Sequence, residues 1–353
     1  MRKKSIACGL ILAMAMSIAG CGSNKGNNSD NTSENTTSNS SFSVAMVTDT
    51  GGVNDQSFNQ SAWEGLSQLK ADKGVEANYV ESVQEADYAT NLDKFVDADT
   101  DLIWGVGFSI ADAIDTNASM NPDQLYGIID HSYGDDTLDN VACVMFRAQE
   151  PSFLVGYAAG LSTKTDKVGF VGGITSVVLD QFEYGYRAGV AYAAKELGKE
   201  IEVVTQYAES FGDAAKGKAI ATKMYTDGCD IIFQAAGNAG VGVIEAAKDT
   251  GNFAIGVDRD QADLAPDNIL TSALKRVDSA IQLVTIEAMN GNEIGGKTFN
   301  YGLTEEAVGI PTENPNMDPE VYDAVIEVQQ IIIDGTVIPP YDQETFESFL
   351  QSM

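Results

Sequence analysis

The sequence of 353 residues has a single histidine and few basic side chains, and both shortages exclude functions. Many catalytic schemes need a group that titrates near neutral pH. With one histidine in the sequence, most of these schemes have no candidate residue. The 21 Lys and Arg residues stand against 52 Asp and Glu residues, so the formal net charge is −31. A surface this negative repels phosphate backbones and anionic lipid headgroups. The charge therefore argues against binding of nucleic acid and against peripheral binding to membranes.

Cysteine is also scarce, and common chemical motifs are missing. Four cysteines without a close pair argue against a disulfide scaffold and a zinc site, and we predict that Cys143 and Cys229 are buried free thiols. No phosphate-binding Gly-x-x-x-x-Gly-Lys-Ser/Thr segment and no Gly-x-Ser-x-Gly nucleophile elbow occurs. The acidic run 97–101 begins like a calcium loop, but Leu102 stands where that loop needs glycine. We therefore predict no metal site.

The N-terminus has the pattern of a secretory signal. Three basic residues precede the apolar run 6–19, which is too short to span a bilayer, since a span needs about 20 residues. Ile18-Ala19-Gly20-Cys21 resembles the bacterial lipoprotein box, which predicts cleavage after residue 20 and a lipid on Cys21. The alternative is an ordinary signal peptide with an incidental cysteine. Residues 21–41 are polar and small and predict a flexible tether, so the lipid would be the only membrane attachment.

From Phe42 onward, short apolar runs alternate with longer amphipathic stretches. The runs are rich in Val, Ile and Phe without strict polar alternation, which is typical of strands covered on both faces. They comprise residues 43–48, 102–107, 125–129, 168–172, 201–206, 231–235 and 253–257. Strand–helix repetition predicts parallel sheets with helices on both sides, and this number of strands predicts two such sheets.

The residues that follow these strands are more informative than the strands themselves, because ligands of open α/β sheets bind outside the carboxyl ends of the strands. These positions carry carboxylates, aromatic rings and glycines. They include Asp49, Phe108, Asp130, Gly173, Phe211, Gly237 and Asp258. Such a set suits a neutral polar ligand that has a flat ring and hydroxyl groups.

The segment 47–65 is the densest in chemical signals. Asp49 ends the first predicted strand, and Ser57 with Gln60 fits a capping box at the start of a helix. The box would place Phe58 and Asn59 in the first helical turn, beside the strand ends. Phe58 then either lines a ligand site or heads the apolar face of the helix, and the pattern favours neither.

Several segments together carry a resemblance to a known family over residues 42–340. They are Val47-Thr48-Asp49, Asp55-Gln56-Ser57-Phe58-Asn59-Gln60-Ser61-Ala62-Trp63-Glu64-Gly65, Val168-Gly169-Phe170-Val171-Gly172-Gly173, Ala214-Ala215-Lys216-Gly217, Ala235-Ala236-Gly237, Ile255-Gly256-Val257-Asp258 with Asp260-Gln261, and Thr271-Ser272-Ala273-Leu274-Lys275-Arg276-Val277-Asp278. In these segments the chain resembles the basic membrane protein family of bacterial substrate-binding lipoproteins. The best-understood members of that family are purine nucleoside receptors of ABC importers.

The resemblance implies an α/β fold of the type I periplasmic-binding-protein class. Two Rossmann-like lobes with parallel sheets would be joined by three crossovers, with a ligand cleft between them. We expect residues 42–147 and about 262–300 in the first lobe. Residues 148–261 and about 301–340 would form the second lobe, and residues 341–353 would form a C-terminal tail.

The resemblance also implies a set of ligand-binding residues. Matched by position, they are Asp49, Phe58, Asn59, Asp130, Phe211, Gly237, Asp258 and Lys275. Phe58 and Phe211 would sandwich a purine. Asp49 and Asp258 would accept hydrogen bonds from ribose hydroxyls, and Lys275 would hold a ribose oxygen. Asn59 and Asp130 would contact the edge of the base. The two ribose-binding aspartates could instead cap helices, and the lysine could instead be a surface side chain.

The implied function is extracytoplasmic capture of inosine, adenosine or guanosine and delivery to ABC permease subunits. We expect a monomer on the outer face of the cell membrane, without a cofactor and without enzymatic activity. One alternative keeps the fold but changes the ligand to riboflavin or another flat heteroaromatic. Another is a nucleoside hydrolase or phosphorylase, which the lack of a calcium-type aspartate cluster makes the weaker hypothesis.

Overall fold

The computed structural model describes residues 41–353, which form two β-sheets with helices packed on their faces. The predicted signal peptide, Cys21 and nearly all of the tether lie outside the described residues. The first sheet contains β1 (Ser43–Val47), β2 (Glu76–Val80), β3 (Leu102–Val106), β4 (Leu125–Ile129), β5 (Val141–Phe146) and β11 (Lys297–Tyr301). The second contains β6 (Lys167–Gly172), β7 (Glu202–Tyr207), β8 (Ile231–Ala235), β9 (Phe253–Asp258), β10 (Ile269–Lys275) and β12 (Val308–Gly309).

Helices connect most of the consecutive strands. They are α1 (Phe58–Lys73), α2 (Tyr88–Val96), α3 (Ala111–Met120), α4 (Gln149–Ser162), α5 (Val177–Leu197), α6 (Ala214–Thr226), α7 (Asn238–Thr250), α8 (Val277–Met289), α9 (Pro319–Ile333) and α10 (Gln343–Ser352). Helices α1, α2, α3 and α8 pack with the first sheet and form the first lobe, and the other helices belong to the second lobe. The buried indole of Trp104 donates to Thr285 Oγ1 at 3.1 Å, which ties α8 to the first sheet.

The two sheets repeat one topology. The strand order is β11-β5-β4-β3-β1-β2 in the first sheet and β12-β10-β9-β8-β6-β7 in the second. All strand pairs are parallel except β10 with β12, which is antiparallel. The predicted two-lobed α/β fold is therefore confirmed, and the carboxyl ends of corresponding strands can face one cleft.

The predicted lobe boundary near residue 262 is wrong. Residues 269–275 were expected in the first lobe, but they form β10 and pair with β9 in the second sheet, where Leu274 lies opposite Asp258. Apart from Lys275 these residues are apolar or small, and their pairing with β9 and β12 makes β10 part of the second sheet. The chain returns to the first lobe only at Arg276. The last residues, expected as a tail, include α10, whose Phe346 is buried beside α5.

Three crossovers join the lobes, at Arg147, Arg276 and Gly302, and hydrogen bonds connect the segments that form them. The backbone N–H of Arg147 donates to Tyr301 O at 2.8 Å, and that of Arg276 donates to Ala307 O at 2.8 Å. The guanidinium of Arg147 also pairs with Glu150 at 2.7 Å and with Glu305. The connection between the lobes is thus a crosslinked hinge and not a single flexible strand.

The two cysteines of the described region lie in different lobes. Cys143 is on β5, Cys229 precedes β8, and both are buried and free. The prediction of buried free thiols is confirmed. Burial in apolar surroundings raises the pKa of both thiols, to about 11 for Cys229, so both side chains stay protonated at neutral pH.

Candidate functional site

A cavity lies between the lobes, at the carboxyl ends of strands from both sheets, which is where ligands of α/β sheets commonly bind. All of the predicted site residues line it, namely Asp49, Phe58, Asn59, Asp130, Phe211, Gly237, Asp258 and Lys275. The structure therefore brings together residues that are far apart in sequence, whereas their contacts with a ligand stay a prediction.

Asp49 follows β1 and is held by two donors. The backbone N–H of Gly51 and the Nδ2 amide of Asn59 each donate to its Oδ1 at 2.8 Å. Burial raises the pKa of this carboxyl to about 6, although both hydrogen bonds act in the opposite direction. It caps none of the described helices, so the helix-cap alternative for Asp49 is wrong.

The start of α1 differs from the predicted capping box. Asp55 and not Ser57 caps the helix, because its carboxylate accepts from the backbone N–H groups of Ser57, Asn59 and Gln60 at 2.9, 2.8 and 3.1 Å. An ionised carboxylate is a stronger acceptor than a hydroxyl and takes these donors. The hydroxyl of Ser57 is thereby free to donate to Asp258 Oδ2 in the other lobe.

Lys275 is buried at the end of β10 and is not a surface side chain, which excludes that alternative. Its ammonium lies 2.5 Å from Asp130 Oδ2 and 3.9 Å from Asp258 Oδ1. It also lies 4.5 Å from the centre of the Phe58 ring, within the range of a cation–π interaction. Burial raises the pKa of Asp258 to about 6, and the nearby ammonium and the Ser57 hydroxyl limit that rise.

Four aromatic rings border the cavity, two more than predicted. Phe58 comes from α1, Phe211 from the loop after β7, Phe108 from the turn after β3, and Phe182 from α5. The rings of Phe108 and Phe211 meet across the lobes with centroids 6.1 Å apart and an interplanar angle of 71°. A Cβ atom at Gly173 would lie 2.2 Å from the Phe211 ring, so only glycine leaves room for the ring there.

Sequence reasoning missed several lining residues as site candidates. Phe108 was recognised as a strand-end residue, as Asp49 was, but it was not among the residues that the resemblance implies as ligand-binding. Asp55 had a weak signal, because an acidic residue shortly before a helix start is a candidate cap. The apolar residues had none, because side chains at the start of α5 and the end of β9 look like ordinary core. They are Val178, Leu179, Phe182 and Val257.

The cavity offers many hydrogen-bond acceptors and one cation. Four aspartates line it, Asp49, Asp55, Asp130 and Asp258, against the single ammonium of Lys275. Its lining residues in the described chain include no serine, cysteine or histidine, and residues 41–353 contain no cluster of His, Cys, Asp and Glu placed to hold a metal ion. The arrangement favours a ligand rich in donor groups and disfavours phosphorylated ligands.

Comparisons with known proteins agree with this geometry. A family profile described as ABC transporter substrate-binding protein PnrA-like matches residues 42–342. The CD4+ T-cell-stimulating antigen of Listeria monocytogenes is 42% identical over 360 residues, covering 96% of this chain and 98% of that protein. Basic membrane protein A of Borreliella burgdorferi is 42% identical over 313 residues, covering 87% of this chain and 90% of that protein. The solved structure of an ABC transporter solute-binding protein from Aeropyrum pernix K1 matches with a TM-score of 0.79 and 28% identity, covering 88% and 96% of the two chains.

Proposed function

Since the chain belongs to the family of PnrA-like ABC transporter substrate-binding proteins, we propose that it binds a purine nucleoside between its two lobes. The observation that carries the proposal is the composition of the cavity, where aromatic rings from both lobes border a group of buried carboxylates and one lysine. The family model and the similar structure from Aeropyrum pernix K1 describe substrate-binding and solute-binding proteins, which agrees with a binding and not a catalytic role.

The two parts of a nucleoside suit the two parts of the cavity. A purine can stack on the rings of Phe58 and Phe211, and each base–aromatic contact contributes about 1–3 kcal/mol. The ribose hydroxyls can donate to Asp49 and Asp258, since ionised carboxylates only accept hydrogen bonds. Lys275 then faces the ribose oxygens, which are acceptors.

The proposed working location is the extracytoplasmic face of the cell membrane. The lipoprotein box at residues 18–21 supports a lipid on Cys21, and the polar residues after it support a tether. None of the helices in residues 41–353 is long and apolar enough to cross a membrane. A tethered receptor of this kind would deliver its ligand, as a monomer, to the permease subunits of an ABC transporter.

A ligand screen with the full chain tests the proposal. Inosine, adenosine and guanosine should each raise the melting temperature, because a ligand at about 1,000 times its Kd stabilises the folded state by about 4 kcal/mol. Uridine and riboflavin serve as comparison ligands. The absence of any response to the purine nucleosides at millimolar concentration would reject the nucleoside assignment. A response to riboflavin alone would establish the flavin alternative instead.

An incubation experiment separates binding from catalysis. Purified protein mixed with inosine, with and without inorganic phosphate, should leave the nucleoside intact over many hours. Liquid chromatography would detect free hypoxanthine at a small fraction of one turnover. Steady accumulation of hypoxanthine that scales with protein concentration would show an enzyme and would contradict the proposed role.

A further inference from the structure

Two glutamines are buried side by side in the second lobe, behind the residues that line the cavity. Gln234 lies on β8 and is 0% exposed, and Gln261 follows β9 and is 1% exposed. The Nε2 group of Gln234 donates to Gln261 Oε1 at 2.7 Å. Burial of an amide costs free energy unless its donors and acceptors are paired, so the remaining bonds of this glutamine pair show what it holds in place.

Two glycines make room for the glutamine pair. A Cβ atom at Gly240 would lie 1.8 Å from Gln234 Oε1, and a Cβ atom at Gly256 would lie 2.8 Å from Gln261 Oε1. A side chain at either position would therefore displace one of the glutamines. Close approach of this kind is a common reason for glycine inside a helix or a strand, where it otherwise costs stability.

Backbone N–H groups fix the orientation of both amides. Gln234 Oε1 accepts from the N–H of Ala236 at 3.1 Å, and Gln261 Oε1 accepts from the N–H of Val257 at 3.0 Å. A backbone N–H can only donate, so a flipped amide would place its own NH2 group against another donor. The oxygen of Gln261 therefore points into the second lobe, and its nitrogen is available to the first lobe.

That nitrogen makes a bond between the lobes. Nε2 of Gln261 donates to the backbone O of Gln56, in the loop before α1, at 2.8 Å. Gln56 has a left-handed backbone with φ of 57°, and the next residue, Ser57, donates its hydroxyl to Asp258 of the second lobe. The loop before α1 is thus bound to the second lobe at two adjacent residues.

The glutamine pair also holds the wall of the cavity. Ala236 and Val257, whose N–H groups it accepts, both line the cavity, whereas neither glutamine is among the lining residues. One set of buried hydrogen bonds therefore connects the backbone of the cavity wall with the contact between the lobes, and it does so without touching a ligand.

We propose that Gln234 is a positioning residue for ligand retention, which orients the Gln261 amide so that its Nε2 holds the Gln56 carbonyl while the lobes enclose the ligand. This inference rests on the proposed nucleoside function and deepens it. Loss of the bond between the lobes should speed ligand release more than it slows ligand entry, because most affinity differences among variants of one site are in the dissociation rate. A merely structural role would lower stability without changing that rate.

Stopped-flow mixing of the full chain with adenosine measures both rate constants. Gln234→Met keeps a side chain of similar length and removes the amide. We expect it to raise the dissociation rate about tenfold, which corresponds to the loss of one hydrogen bond, and to change the association rate less than about twofold. Gln234→Asn, which keeps an amide but is one methylene shorter, takes its place if Gln234→Met does not fold.

A double-mutant cycle shows whether Gln234 acts through Gln261. Gln261→Leu removes the bond to Gln56 itself, so it should also raise the dissociation rate about tenfold. The double variant should release adenosine no faster than Gln261→Leu alone, because the bond that Gln234 orients is already lost. Release about a hundredfold faster than in the unmodified protein, the product of two independent effects, would overturn the inference.

Thr285→Val is the matched control. It also removes one partner of a buried hydrogen bond, the one that Trp104 Nε1 donates at 3.1 Å, but within the first lobe and outside the cavity lining. Urea denaturation should show a loss of stability for Thr285→Val and for Gln234→Met alike. Only Gln234→Met should release adenosine faster, and equal dissociation rates in these two variants would contradict a positioning role.

Failure of the inference differs from failure of the proposed function. If no purine nucleoside binds the unmodified protein, the proposed function and the inference both fall. If adenosine binds and the folded Gln234 variant keeps the dissociation rate of the unmodified protein, only the inference is overturned.

Discussion

Asp130 directly follows β4, and Asp258 is the last residue of β9, which is the equivalent strand of the second sheet. Both residues have a left-handed backbone with φ of 65°. Non-glycine residues in this region are uncommon and are often found at functional sites. The ammonium of Lys275 lies near both carboxylates. The repeated topology thus presents one aspartate from each lobe to a single shared cation.

The shared cation should stabilise the folded protein as well as the site. Lys275→Met removes the only positive charge beside two buried carboxylates, and we expect a loss of about 3–5 kcal/mol in the free energy of unfolding at neutral pH. Urea denaturation measures it. The loss should shrink toward pH 4, because protonation removes the uncompensated charge of Asp258. Lys218→Met is the control, since its pairs with Asp249 and Glu245 are exposed and should contribute less than about 1 kcal/mol.

Asp49 should lower the stability of the ligand-free protein at neutral pH. Its pKa is raised from 3.8 to about 6, so between these values the folded state binds more protons than the unfolded state. The contribution of this group to stability therefore falls as pH rises from about 4 to 6 and stays low above that. Asp49→Asn keeps an acceptor for Gly51 and Asn59 without the charge. We expect the variant to be more stable by roughly 1–3 kcal/mol at pH 7.5, with no difference near pH 4.

Denaturation at both pH values checks this prediction, and binding supplies the second readout. The same variant should bind nucleosides about tenfold more weakly or worse. The reason is that an amide oxygen accepts a hydrogen bond from a hydroxyl less strongly than a carboxylate oxygen does. A variant that is less stable than the unmodified protein at pH 7.5 would show that the carboxylate is not strained by burial.

The aromatic rings should differ in their contribution to affinity. If the base stacks on Phe211, Phe211→Ala should weaken binding by roughly 5- to 100-fold, which corresponds to the ordinary range for one stacked base. Phe108→Ala removes the ring that meets Phe211 across the lobes, and we expect a smaller loss with faster ligand release. Phe299→Ala is the control, since this half-buried ring lies outside the cavity lining. Equal affinity of all three variants would contradict the stacking arrangement.

Gln261 should affect closure without touching the ligand. Its side chain is buried in the second lobe, accepts from Gln234 Nε2 at 2.7 Å, and donates across the lobes to Gln56 O at 2.8 Å. Gln261→Leu leaves that carbonyl without its donor in the closed state, so we expect about tenfold weaker binding and faster dissociation. Stopped-flow measurements and small-angle scattering would report the dissociation rate and the separation of the lobes.

The control for closure is Arg259→Ala. Arg259 also bridges the lobes, to Glu64 at 3.3 Å, but both side chains are partly exposed, so the effect on affinity should be small. Should Arg259→Ala weaken binding as much as Gln261→Leu, the buried glutamine would have no special role.

Much of the fold could be predicted from the sequence, because most of the covered strands produce apolar runs. The run 125–129 coincides with β4, and 231–235 coincides with β8. The edge strands β2 and β11 were missed, since they are half-exposed and carry polar residues. The buried strands β5 and β10 were also missed as strands. The lobe to which β10 belongs was also predicted wrongly. Strands of the two lobes have the same sequence pattern, and only the pairing with β9 shows that β10 belongs to the second lobe.

The residues of the site could be predicted from the sequence more readily than the hydrogen bonds between them. The predicted residues converge because each follows a strand or begins a helix at one edge of a sheet. The bond from Ser57 to Asp258 could not be predicted, since it joins residues 201 positions apart and depends on Asp55 taking over the helix cap. Local patterns specify which groups are present, whereas the packing of the two lobes against each other decides which of them pair.

The late position of β11 in the chain affects how the first sheet is completed. Strand β11 pairs with β5, yet it follows all five parallel strands of the second sheet in the sequence. Until residues 297–301 pair with it, β5 keeps an open edge that can pair with another unfolded chain. A chain that ends after β10 would keep this edge open and would be prone to aggregate.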